Sequence, residues 1–104
     1  MLEQHNFIRN QLGKAALSYD AELAERAANH SQLMATKGSL FHSDVLPGEG
    51  ENVAAGRHLS EKEAVKLWWK STGHRRNMLG NYSSMGYGSS ENRGVIYYTV
   101  IFKR

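Results

Sequence analysis

Residues 83–102, SSMGYGSSENRGVIYYTVIF, decide the fold. Two runs rich in glycine, β-branched and aromatic residues flank the break Glu91-Asn92-Arg93-Gly94, which is the pattern of a β-hairpin. The second run, Val95 to Phe102, is apolar almost throughout, so it is expected to be a central strand buried on both faces.

Upstream of this hairpin the apolar residues recur at helical spacing instead. Glu3 to Leu12 reads as a short amphipathic helix, with Leu2, Phe7, Ile8 and Leu12 as its apolar set and Gly13 as its stop. On this helix Asn6 is locally unfavourable and calls for a tertiary hydrogen bond, while Arg9 is expected to pair with a carboxylate. After the extended link ALSYD, Asp20 is a good N-cap for a helix running to about Thr36 and closed by Gly38. Its inner positions, Leu23, Ala24, Ala27, Ala28, Ser31 and Met34, are mostly small, so whatever packs there must come very close.

Residues 37–59 hold four glycines and the only proline, Pro47. They read as a long irregular segment, which in a small domain is more often functional than idle. Ser60 and Glu63 then form a capping box that opens a helix with Ala64, Val65, Leu67 and Trp68 inward. Ser71-Thr72-Gly73 breaks this helix, and Thr72 can cap a further turn reaching Leu79. Helices first and strands later, with no βαβ alternation, make the class α+β.

The chain has 104 residues, which fits one domain, 1–104, with a modest core. With 40% hydrophobic and 22% charged residues it has the balance of a globular protein. No apolar run approaches the ~18 residues needed to span a membrane. Cysteine is absent, which excludes disulfide frameworks, thiol catalysis and cysteine zinc sites. No signal peptide precedes MLEQHNFIRN, but the chain reads equally as a mature domain, so this argues little for the cytoplasm. A net charge of +3 and a pI near 9.3 suit attraction to anionic surfaces and do not indicate a nucleic-acid binder.

Three residues carry the chemistry worth weighing: His42, Glu51 and His74. Two imidazoles and a carboxylate are the ligand set of many open zinc sites, and the same trio can perform acid–base work. Their spacing does not match the compact H-E-x-x-H motif. The residues therefore read equally as loop anchors: His42 on a backbone group, Glu51 on amides and His74 at a helix cap. Ser71 lies three residues before His74, but no G-x-S-x-G elbow exists and no orienting acid has a recognisable spacing, which disfavours a serine hydrolase. GEGENVAAG (48–56) lacks the Lys-Ser/Thr end of a phosphate loop.

The segments HNFIR, LSYDAELAERAANHSQLMA, FHS, GENVAAG, AVKLWWKSTGHRRNML, MGYG and YYTVIF occur in an order that resembles the CAP superfamily. That group comprises cysteine-rich secretory proteins, antigen 5 and plant pathogenesis-related proteins. The form W-x-x-S-x-G-H-R-x-N, the short length and the missing cysteines resemble its bacterial SCP-like extracellular branch. The resemblance spans nearly the whole chain. It implies a three-layer α-β-α sandwich with a central, mainly antiparallel sheet, and a cleft where two histidines and two acids meet.

By motif, those residues are His42 of FHS, Glu51 of GEN and His74 of GHR, with zinc or another divalent cation as the implied ligand of the histidines. Relatives from animals and plants usually carry the second acid where this chain has Ser71, which implies weaker cation affinity. Asn52 is expected to anchor its loop, and Glu49 to be a solvated neighbour. The implied function is a secreted, extracellular or cell-envelope binding module, taking a cation or an extracellular, envelope or lipid ligand. The alternative is a metal-dependent hydrolase of peptidase type, with Glu51, His42 and His74 as candidate catalytic groups.

Overall fold

The C-terminal hairpin organises everything else. The computed structural model describes all 104 residues. Its order is α1 (Leu2–Gln11), β1 (Ser18–Tyr19), α2 (Ala21–Lys37), β2 (Glu49–Arg57), α3 (Glu61–Lys70), α4 (Thr72–Met78), β3 (Ser84–Asn92) and β4 (Val95–Lys103). The four strands lie in the order β1-β3-β4-β2. β4 pairs antiparallel with β3 on one side and β2 on the other, and only the two-residue β1 runs parallel to its neighbour, β3.

The apolar run of β4 divides by period two between two cores. Tyr98, Val100 and Phe102 join Trp68, Met78 and Met85 on the face covered by α1, α3 and α4. Tyr97 and Ile101 face α2, packing with Met34 and Ala35 and with Leu23 and Ala27. Helices thus cover both faces of a mainly antiparallel sheet, the α-β-α sandwich.

The thin face of α2 meets the glycines of MGYG. A Cβ on Gly86 would lie 2.1 Å from Ala24 N, and one on Gly88 would lie 2.4 Å from Ala28 Cα. Small residues on both partners let helix and strand backbones touch. Asp20 caps α2 through Leu23 N, and Gly38 closes it in the left-handed conformation. The Ser60–Glu63 capping box is complete.

Several expectations change. The irregular segment 37–59 contains the nine-residue strand β2, and the true loop is shorter, about 39–48. Gly50 reads as a loop residue but is a strand residue held close to Tyr82 and Asn77, where a Cβ would sit 2.3 Å from the Tyr82 hydroxyl. On α1 the buried residues are His5 and Arg9, while Phe7 and Leu12 are exposed. Arg9 pairs with no carboxylate: it donates to the carbonyls of Ala15, Met78 and Gly80, tying α1 to the end of α4. Asn6 does make its tertiary bonds, to the amide and carbonyl of Leu17. Leu67 is exposed, not inward. Ser71, not Thr72, is the N-cap of α4, and it makes no side-chain cap bond.

Candidate functional site

Glu51 and His42 meet at the outer strand β2. The Glu51 side chain is 2% exposed and the His42 side chain 62% exposed, with His42 Nδ1 2.8 Å from Glu51 Oε1. The same carboxylate accepts from Ser43 N at 2.9 Å and from the Ser43 hydroxyl. Both carboxylate oxygens are therefore occupied from within the chain. With Nδ1–H donating to Glu51, the mostly exposed His42 ring keeps Nε2 for other partners.

The loop carrying His42 is held at both ends. His30, buried on α2, bonds Phe41 O through Nε2 at 2.6 Å and stacks edge-on against the Phe41 ring. At the other end Arg26 grips Glu49 with two hydrogen bonds, of 2.9 and 2.7 Å, and Leu46 N donates to the same carboxylate. Glu49 is thus an ion-pair anchor, not a solvated neighbour. Those bonds hold its carboxyl below the usual range, against the opposing effect of burial.

His74 approaches from α4. Its pKa is lowered, first by burial and then by repulsion from His42, so at neutral pH it is uncharged and its lone pair is free. Two amides fix the approach of α4 to β2. Asn52, fully buried, donates to His74 O at 3.0 Å. Asn77 donates to Glu51 O and to Asn52 Oδ1. Asn52 therefore holds the neighbouring helix α4, and not its own segment as expected. Ser71 forms the corner between α3 and α4.

Sequence reading missed Asn77, although it stands in the quoted R-x-N three residues after His74, one helical turn along the same face. It also missed Ser43, whose role depends on a loop path that no spacing encodes.

The donor set decides what the site can hold. No three His, Cys, Asp or Glu residues are grouped as ligands for one ion. His42 and His74 are the imidazoles of this region, and Glu51 orients that of His42. A zinc ion would use His42 and His74 and fill its remaining positions from outside the chain, since zinc prefers four ligands.

The comparisons agree with this architecture. The model of the cysteine-rich secretory protein family (CAP) matches residues 2–102. Pathogenesis-related leaf protein 6 of Solanum lycopersicum is 41% identical over 68 residues, covering 64% of this chain and 40% of that protein. The uncharacterized protein YkwD of Bacillus subtilis is 31% identical over 111 residues, covering 91% of this chain and 43% of its own length. An extracellular protein of Bacillus anthracis that contains an SCP domain superposes with a TM-score of 0.87 at 26% identity, over 99% of this chain and 38% of that one. The chain thus spans well under half the length of these relatives. Helices on both faces of the sheet, the ordered motifs and the match over almost every residue lead to one conclusion: the chain belongs to the cysteine-rich secretory protein (CAP) family.

Proposed function

We propose that this domain is an extracellular binding module whose ligand engages the outward nitrogens of His42 and His74. The observation that carries the reading is the occupation of both Glu51 oxygens by Ser43 and His42, which makes the carboxylate an orienting group. A divalent cation such as zinc is one ligand for such a pair, bound weakly because the chain contributes two donors and Ser71 adds no charge. Other ligands would be recognised by hydrogen bonding to the same nitrogens. When bound, zinc would supply Lewis acidity and a bridge to ligand oxygens.

Zinc titration by calorimetry tests this reading. His42→Ala and His74→Ala should each abolish saturable binding. Glu51→Gln, acting through His42, should weaken it by roughly 10–100-fold. Unchanged affinity in both histidine variants would refute the reading.

A hydrolytic reading has one supporting observation: the Glu51–His42 pair is an oriented base. The nearby hydroxyl, Ser43, donates to Glu51, so a nucleophile would have to be water. Peptide or cell-wall peptide turnover that His42→Ala abolishes would establish this alternative, and binding without turnover would establish the module.

A further inference from the structure

A concave surface lies at the opposite end of β2, six residues and therefore roughly 20 Å from Glu51 along the strand. It is a pocket of about 500 Å³ where the end of α2, the end of β2 and the tip of the hairpin meet, within the ~300–1,000 Å³ typical of small-ligand sites. Lys37, Arg57 and Arg93 line it, and none of its lining residues is acidic. None of the three cations takes part in any of the chain's ion pairs. Arg57 lies across the hairpin tip, its Nη1 3.2 Å from the place a Cβ on Gly94 would occupy, and His58 is beside it.

One further residue points into this pocket. Tyr97 lines it yet is only 6% exposed. Of the five tyrosine hydroxyls, only that of Tyr98 bonds within the chain, to Leu59 O. The Tyr97 hydroxyl thus has no partner in the chain and is the solvent-reached tip of an otherwise buried ring. The turn beside it is also unusual. Arg93 and Gly94 both have positive φ, 54° and 83°, and Arg93 occupies a position where asparagine or glycine is ordinarily preferred. A guanidinium stands where local backbone preference would not place it.

Two features oppose an anion here, and neither prevails. The C-terminus of α2 brings roughly half a negative charge, against three full positive charges from side chains. Two of its last carbonyls are also satisfied: Met34 O by Ser39 N, and Ala35 O by Gly38 N and the Asn92 amide. Lys37 is partly engaged, with its ammonium 5.7 Å from the Phe41 ring centre, so the two arginines carry the recognition.

We propose that this corner binds phosphate-type oxyanions, with Arg57 and Arg93 as charged hydrogen-bond donors, Tyr97 as a neutral one and Lys37 as a flanking charge. The ligand chemistry is a multiply charged tetrahedral oxyanion, free or carried on a chain. Guanidinium forks match its oxygens in pairs, and the site offers donors and no competing carboxylate.

The test is titration of isotopically labelled protein with tripolyphosphate and with inorganic phosphate, at about 0.15 M salt to suppress loose surface attraction. Saturable shifts should centre on the amides of Lys37, Gly38, Arg57, Arg93 and Gly94. Arg93→Asn removes the charge while suiting the turn, and Arg57→Gln keeps a similar length. Each should weaken binding by about tenfold or more. Tyr97→Phe should weaken it several-fold with the fold unchanged. Saturation by tripolyphosphate alone would identify a chain of phosphates as the ligand, and equal affinity for inorganic phosphate would identify a single oxyanion. The proposal is overturned if neither saturates, if Arg93→Asn and Arg57→Gln bind as the parent does, or if the shifts centre on Arg75 and Arg76.

Discussion

The two faces of the sheet solve the same packing problem with opposite means. On the α2 side, Gly86 and Gly88 meet Ala24 and Ala28 at backbone contact distance, so almost no side-chain volume lies between strand and helix. On the other side Trp68, Phe102, Met78 and Met85 fill the space, and the Trp68 indole also donates to Val53 O at 3.0 Å. The first face depends on small residues and has no room for growth, whereas the second depends on large ones and is vulnerable to loss. The difference teaches that a glycine in a strand here is a packing residue, as specific in its place as a tryptophan.

Three substitutions or titrations can break that comparison. The largest effect should come from Trp68→Ala, which empties the large-residue face and orphans the Val53 carbonyl. A cost of roughly 3–5 kcal/mol is expected in denaturant unfolding, and a loss under about 1 kcal/mol would show that this face can collapse around the void. Gly86→Ala should reach about 3 kcal/mol, the upper end for overpacking, because the new methyl meets helix backbone instead of a movable side-chain tip. An unchanged unfolding midpoint for Gly86→Ala would mean that α2 can slide away, and the thin face would lose its explanation.

The third test sharpens the large-residue face through pH. His5 is fully buried between the rings of Trp68 and Phe102. Burial lowers its pKa from 6.5 to about 4, against the opposing hydrogen bond that its Nδ1–H donates to Met1 O. Above pH 6.5 the ring is neutral in folded and unfolded chains alike. Between 6.5 and about 4 only the unfolded chain takes up the proton, so stability falls as pH drops through that window, by roughly 3 kcal/mol in all. Unfolding midpoints measured at about pH 7, 5.5 and 4, spanning the window, should show the fall, and His5→Leu should flatten it. A wild-type profile that does not bend below pH 6.5 would contradict the burial argument.

Much of the scaffold was legible because its signals are local. Asp20, Gly38 and the Ser60–Glu63 box mark helix ends by hydrogen bonds made within a few residues, and β4 announces itself by an apolar run with no polar face. β2 was not legible, because its Gly50 is required by Tyr82 packing against it from elsewhere in the chain. The inner face of α1 misled in the same way. His5 and Arg9 are buried because distant rings and carbonyls accommodate them, and periodicity counts only apolar residues. At the site, the motif order singled out His42, Glu51 and His74, while the contacts that arrange them, from Ser43, His30 and Asn77, follow a loop path that only the folded chain defines.

The bonds from Asn52 to His74 O and from Asn77 to Glu51 O and Asn52 have a further consequence. They join the strand that carries one imidazole's support to the helix that carries the other imidazole. The approach of α4 to β2 is therefore set by two side-chain amides before any ligand arrives. Helix and strand are locked at a fixed separation, so a ligand that touched both would meet a preorganised surface and spend little ordering entropy on binding.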